Sequence, residues 1–235
     1  MPETVPVTST VRPELPALPV QAERLIELGI HRLAGVTAAE LRSFAATAQA
    51  AAAARTAAAA ETPAERGSSL LAVHPGRAPA SVLAPLLRRE DKPGFVVTDM
   101  PDVDLFAPIE GLGLPEAPLY VVTGVDRGDR MANWSPNEAL PALAEQGRTP
   151  LMLTEGIHWV LQQPAALERN HCFMTIGSRL RKAGGALDAR TPAIWISNGT
   201  GRGGSERRNA PKVGWCWAGN RHTWLGFASA TGRRP

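Results

Sequence analysis

Three tryptophans and a histidine crowd the stretch Trp215-Cys216-Trp217-Ala218-Gly219-Asn220-Arg221-His222-Thr223-Trp224. Side chains on a strand alternate between two faces. A hairpin turning on Gly219-Asn220 therefore pairs Trp217 with His222 and Trp215 with Trp224, and displays all four on one side. Such a patch is a stacking platform for a planar or sugar-like ligand, with His222 as acid, base or hydrogen-bond donor. It reads equally as hydrophobic core with a satisfied histidine at its margin.

The run Ser197-Asn198-Gly199-Thr200-Gly201-Arg202-Gly203-Gly204-Ser205 follows an apolar stretch and is flanked by Arg207 and Arg208. Backbone amides unobstructed by side chains, together with guanidinium groups, suit a phosphate or carboxylate. Asn198, Gly201, Arg202 and Arg207 are the candidates there. No helix is expected after the run, so it is neither a dinucleotide fingerprint nor a P-loop. The alternative is a solvated loop. Arg179, Arg181 and Lys182 form a second basic knot, with Arg179 the candidate and a solvated turn before Gly184-Gly185 the plain reading.

Asp99, Asp102 and Asp104 sit just past an expected strand end, where a general base or ligands for a hard cation are often mounted. Asp126, Arg127, Asp129 and Arg130 follow the next strand in the same way. Solvated loops with internal salt bridges explain both clusters as well. Asn170-His171-Cys172 places histidine and cysteine on opposite faces of a strand, so the two cannot act as a pair or share one ion. With two cysteines 44 positions apart and no Cys-x-x-Cys, structural zinc is disfavoured and no metal site is assigned. The catalytic candidates are His222, His171 and Asp99. The ligand-binding candidates are Trp215, Trp217, Trp224, Asn198, Gly201, Arg202, Arg207 and Arg179. No cofactor is identified.

The elements that must position these residues can be read in outline. Prolines at 2, 6, 13, 16 and 19 predict a flexible arm over 1–19. Apolar spacing predicts a helix from Val20 through Leu33, and the capping box Thr37-Ala38-Ala39-Glu40 opens a second, giving a helical pair over 20–67 that carries an alanine-rich low-complexity insert. The remainder, 68–235, reads as a single α+β domain. Strands are expected at 70–73, 95–98 and 119–122 around a helix at 81–89. Ser135-Pro136-Asn137-Glu138 opens a helix to about Gln146, and another spans 155–163. Strands at 172–176, 193–197, 213–217 and 223–228 make the second half β-rich, and the sheet mixed but largely antiparallel.

Composition bounds the function. The chain of 235 residues is 44% hydrophobic and 20% charged, long enough to bury a core without disulfide staples. It contains no run of the roughly 20 apolar residues that a bilayer crossing needs, nor the basic-then-apolar order of a signal peptide, so no membrane association and a cytoplasmic location are expected. The formal net charge is +3, unevenly placed: residues 121–235 hold 15 basic and 8 acidic side chains. Such asymmetry raises the prospect of an anionic ligand or partner.

The stretches GFVVTDMPDVDLF, APLYVVTGVDRGD, NWSPNEALPAL, EGIHWVLQQP, ERNHCFMTIGSRLRK, DARTPAIWISNGTGR and APKVGWCWAGNRHTWLGFASATGR together resemble an actinobacterial domain-of-unknown-function family. The likeness covers residues 70–235 and, more weakly, 20–45. It implies a cytoplasmic bacterial protein and transfers no catalytic role. The expectation is therefore a small-molecule-binding protein for an anionic, partly planar ligand, with enzymatic turnover left open. Its rivals are a single-stranded nucleic-acid module, which a net charge of only +3 argues against, and a non-catalytic protein that uses the tryptophan hairpin as an oligomer interface.

Overall fold

The computed structural model describes residues 14–58, 69–169 and 171–235, apart from the side chain of Arg202. In chain order the elements are α1 (Leu18–Glu27), α2 (Ile30–Ala34), α3 (Ala38–Ala57), β1 (Leu70–Val73), α4 (Ala80–Leu83), β2 (Arg88–Arg89), β3 (Lys92–Pro93), β4 (Phe95–Val96), β5 (Ala107–Pro108), β6 (Leu119–Thr123), α5 (Pro136–Glu145), β7 (Thr149–Pro150), α6 (Leu153–Gln162), β8 (Cys172–Met174), β9 (Ser178–Arg179), β10 (Arg190–Ile196), β11 (Pro211–Trp217), β12 (Leu225–Phe227), β13 (Ser229–Ala230) and β14 (Gly232–Arg234). This is an α+β fold, with helices first, a strand-rich C-terminal half and mostly antiparallel sheets.

Local chemistry sets the helix starts. Thr37 Oγ1 accepts from the Glu40 amide while the Glu40 carboxylate accepts from the Thr37 amide, closing the capping box of α3. Ser135 and Glu138 do the same for α5, with Pro136 in its first turn. The alanine-rich stretch continues α3 as helix as far as Ala57, with no buried position of the helix beyond Ala45. The arm expected over 1–19 lies outside the described residues up to 13, and α1 already begins at Leu18 with Pro19 in its first turn, where the missing amide costs little. The helix expected at 81–89 is cut short. Pro85 confines α4 to Ala80–Leu83, a single 3-10 turn follows, and Arg88–Arg89 turns back as a strand against Lys92–Pro93.

Two sheets enclose α6. One has the order β1-β6-β14 and is antiparallel throughout; the other runs β12-β8-β10-β11-β4, with β10 antiparallel to β8 and β11 and with both outer pairs parallel. All ten residues of α6 are buried, and the helix touches β1 on one side and β10 on the other. Gly156 permits the approach, because a Cβ there would stand 2.6 Å from Thr175 Cγ2 and 3.1 Å from Ile194 Cδ1. Ile157, Val160 and Leu161 of α6 join Ile194, Val213 and the helices α1 to α3 in one core, each large side chain contributing roughly 1.5–3 kcal/mol. The opposite face of the larger sheet packs Ala193 and Met174 against Ala139 and Leu143 of α5.

The open edge of β1 is closed by side chains. The Leu71 amide donates to Gln21 Oε1 at 2.8 Å and the Val73 amide to His158 Nε2 at 3.4 Å, so a glutamine and a histidine stand in for a neighbouring strand. Among the described residues no helix is long and apolar enough to cross a membrane.

Candidate functional site

The tryptophan hairpin does not form. β11 pairs with β10, so Trp217 lies opposite Arg190, Cys216 opposite Thr191 and Trp215 opposite Pro192. The turn that closes lies one residue early, on Ala218-Gly219 with the Asn220 amide on Trp217 O, and the chain then leaves the sheet. Arg221 is drawn to Glu138, whose carboxyl it helps to hold at about 2 together with the Ser135 amide and hydroxyl. The amides of Asn133 and Asn137 take the carbonyls of His222 and Ala218. Pinned there, the segment can rejoin only at the far edge, where β12 runs parallel to β8. Trp215 and Trp217 still pack edge to face at 4.5 Å, and His222 lies 5.2 Å from Trp224. Among the described residues no ring contact joins the two pairs. Trp217 is 47% exposed and Trp224 38%, whereas Trp215 leans on the main core.

The other candidates are dispersed. Asn198 Oδ1 accepts from Arg169, which also bonds Asn209, so this side chain braces the base of the glycine-rich segment. Gly201 is exposed with φ +60° in a 3-10 turn, and the side chain of Arg202 lies outside the described residues. Arg207 stacks over Phe95 at 4.5 Å. Arg179 is buried in β9; one nitrogen donates to Asp188 O at 2.8 Å, Nε has no partner, and burial draws its pKa down against the pull of Asp188. His171 bridges to Glu168 at the edge of β8, and the Asp99 charge acts on Lys212. The second acidic cluster is paired internally, Asp126 with Arg130 and Asp129 with Arg127, whereas Asp102 of the first reaches Arg190 on β10, 88 positions away. Burial pushes the Cys172 thiol up to about 12 and Cys216 up to about 11, so both stay protonated at neutral pH.

A different place is hollow. A cavity of about 300 Å³ opens at the amino end of α6. From the loop after β1 come His74, Pro75 and Pro79. The turn before β5 supplies Asp104 and Phe106, β5 supplies Pro108, and α6 itself supplies Leu153 and Thr154. Of the residues singled out from the sequence, Asp104 lines it, and none of the catalytic or ligand-binding candidates does. Two of the lining segments are held by hydrogen bonds. The Ser178 hydroxyl accepts the Leu153 amide at 2.9 Å, tying β9 to the first turn of α6. Asp104 accepts from the amide and hydroxyl of Ser81, at 2.9 and 2.5 Å, which fastens the wall to α4.

Polar groups in this wall are few and distinct. Thr154, in the first turn of α6, is more than nine-tenths buried and its Oγ1 has no hydrogen-bond partner, whereas its carbonyl accepts from His158 Nδ1 at 2.8 Å. His74 Nδ1 accepts from the Gly76 amide at 3.1 Å, which leaves the proton of the neutral ring on Nε2. Burial, helped by the charge of Arg77, keeps His74 below its ordinary value of 6.5. The amino end of α6 carries a partial positive charge. Glu155 in the same turn accepts the Met152 cap amide at 2.8 Å, and its charge is in turn met by Arg233 at 2.6 and 2.7 Å, with the Tyr120 hydroxyl at 3.0 Å.

His158 and His222 also lie below the ordinary 6.5 through burial. All three imidazoles are thus favoured neutral in the fold, while the unfolded chain takes up protons near 6.5. Their contribution to stability is complete above that pH and declines as the pH falls below it. The melting temperature is expected to drop on acidification from pH 7.5 to 5.5, before the carboxylates titrate; a flat profile over that interval would contradict the neutral assignments.

An α+β protein whose two larger sheets flank a wholly buried helix, with a small amphipathic cavity at that helix's amino end, is the class these features define. The chain belongs to the family described as "Family of unknown function (DUF5701)", which matches it over residues 24–235. No curated protein and no solved structure matches it.

Proposed function

We propose that the protein binds a small, anionic, partly planar molecule in the cavity at the amino end of α6. The observation that carries this reading is Thr154 Oγ1, a buried hydroxyl without a partner in the wall of a cavity at a helix start. Leaving such a group unmatched costs about 1–3 kcal/mol, a cost that rotation of the Thr154 side chain toward a bound acceptor would remove. The partial positive charge at the helix start and the His74 Nε2 proton favour an anion, and the flat faces of Phe106, Pro79 and Pro108 favour a planar body. About 300 Å³ is at the small end of ligand sites, which supports a metabolite over a polymer. The proposed setting is cytoplasmic, supported by two cysteines that are both free.

Mass spectrometry of the natively purified protein should detect a retained small acid. Thr154→Val is expected to weaken its binding about ten-fold while leaving the unliganded protein equally or more stable, since the substitution keeps the shape and removes the unmatched hydroxyl. Equal affinity in the variant would refute the assignment.

Exposed indoles at Trp134, Trp217 and Trp224 favour a second reading, in which this surface meets another copy of the chain. Sedimentation that shifts from dimer to monomer with Trp217→Ala would support it; a wild-type chain that is monomeric throughout would remove it.

A further inference from the structure

The cavity wall carries a second kind of polar group that an anion alone does not use. Asp104 lines it together with His74 and Thr154, and among the described lining residues there is no lysine or arginine. The carboxylate oxygens of Asp104 each accept one hydrogen bond from Ser81, and each retains a further lone pair. The wall therefore holds groups of both kinds: a helix amino end, an unmatched hydroxyl and an imidazole N–H, and the carboxylate of the exposed Asp104. A dianion such as a phosphate would face Asp104 with only Arg77, outside the lining but near enough to act on His74, to offset it. A simple amine would meet the positive end of α6 and leave Thr154 Oγ1 without a charged acceptor.

We infer that the cavity takes a zwitterion, an amino acid with a ring in its side chain, whose carboxylate lies at the first turn of α6 and whose ammonium lies at Asp104. This rests on the reading of the cavity as the ligand site and narrows its anion to the carboxylate of an amino acid. His74 serves as a neutral donor, because its Nδ1 is committed to the Gly76 amide and only Nε2–H remains for a ligand. The ring has the faces of Phe106, Pro79 and Pro108 to lie against, with Leu153 and Val103 completing the apolar side. A cavity of about 300 Å³ holds one such molecule but not a peptide of several residues.

Calorimetric titration of the full chain with phenylalanine, tyrosine, histidine and proline, each beside its deaminated acid and its decarboxylated amine, tests the inference. At least one amino acid is expected to bind about ten-fold more tightly than either of its halves. Asp104→Asn, which keeps an acceptor for Ser81, should bring that amino acid down to the affinity of its acid and leave the acid unchanged. If every acid binds as tightly as its amino acid, or if Asp104→Asn lowers both equally, the zwitterion is wrong and the anion site stands. If no member of the panel binds and Thr154→Val alters the affinity of no other acid, both fall together. The comparison among ligands of the wild-type chain decides the matter even if the variant folds poorly.

Discussion

Arg233→Ala is expected to lower the stability of the protein by about 3–5 kcal/mol, the largest loss from any single truncation considered. Both partners of the Arg233–Glu155 pair are wholly buried, and their contact is two-pronged. The guanidinium also donates to the carbonyls of Leu112 and Pro150 and to the Thr149 hydroxyl, all at 2.9 Å, so one side chain fastens β14 to β7, to α6 and to the loop before β6. Burial works against the charge of Arg233, but Glu155 outweighs it and raises the pKa. Burial and the neighbouring Glu155 carboxylate likewise drive the Tyr120 phenol well above its ordinary range, so it remains a donor. Alanine at 233 would strand a carboxylate inside the protein. Chemical denaturation should show the loss, with a fall in melting temperature of about 10 °C for a chain of this size. Adding Glu155→Gln to the variant should recover part of it by removing the stranded charge. A loss under about 1 kcal/mol would rank the pair with exposed ones and refute the assignment.

Gly128→Ala should cost about 2–4 kcal/mol for a different reason. Gly128 has φ +76°, and a Cβ there would lie 2.1 Å from Phe227 O and 2.7 Å from its carbonyl carbon. That neighbour is backbone of β12, held in register by Phe227 opposite Met174, and it cannot step aside without breaking the pairing with β8. Gly147 is the control: its φ is +64° but nothing lies within 4 Å of a Cβ, so alanine there should cost only about 1 kcal/mol for the left-handed conformation. Unfolding curves of the two variants under one condition separate crowding from backbone strain; equal losses would mean that the close approach is not what sets the value.

What could be read ahead of the structure was whatever depends on near neighbours. The capping boxes at Thr37 and Ser135, and the strands at 70–73 and 119–122, need only residues a few positions away, and they stand as expected, the latter one residue longer. The last hairpin failed because its alternative is non-local. Arg221 finds Glu138 across 83 positions, and the seven-residue β10 offers β11 a longer ladder than residues 223–228 could. The cavity escaped for a similar reason: its wall comes from residues 74–80, 103–108 and 153–154, and no local pattern joins those three stretches. A weak signal was present, since Pro75, Pro79 and Pro108 stiffen loops and Thr154-Glu155 opens a helix, but neither says that the loops meet that helix.

The position of Arg233 also bears on how the protein comes to be made. Glu155 waits for a partner 78 positions downstream. Until β14 is in place, Glu155 lacks its guanidinium partner and β6 lacks one of its two neighbours. Closing the core therefore waits on contacts distant in sequence, the kind that make folding slow.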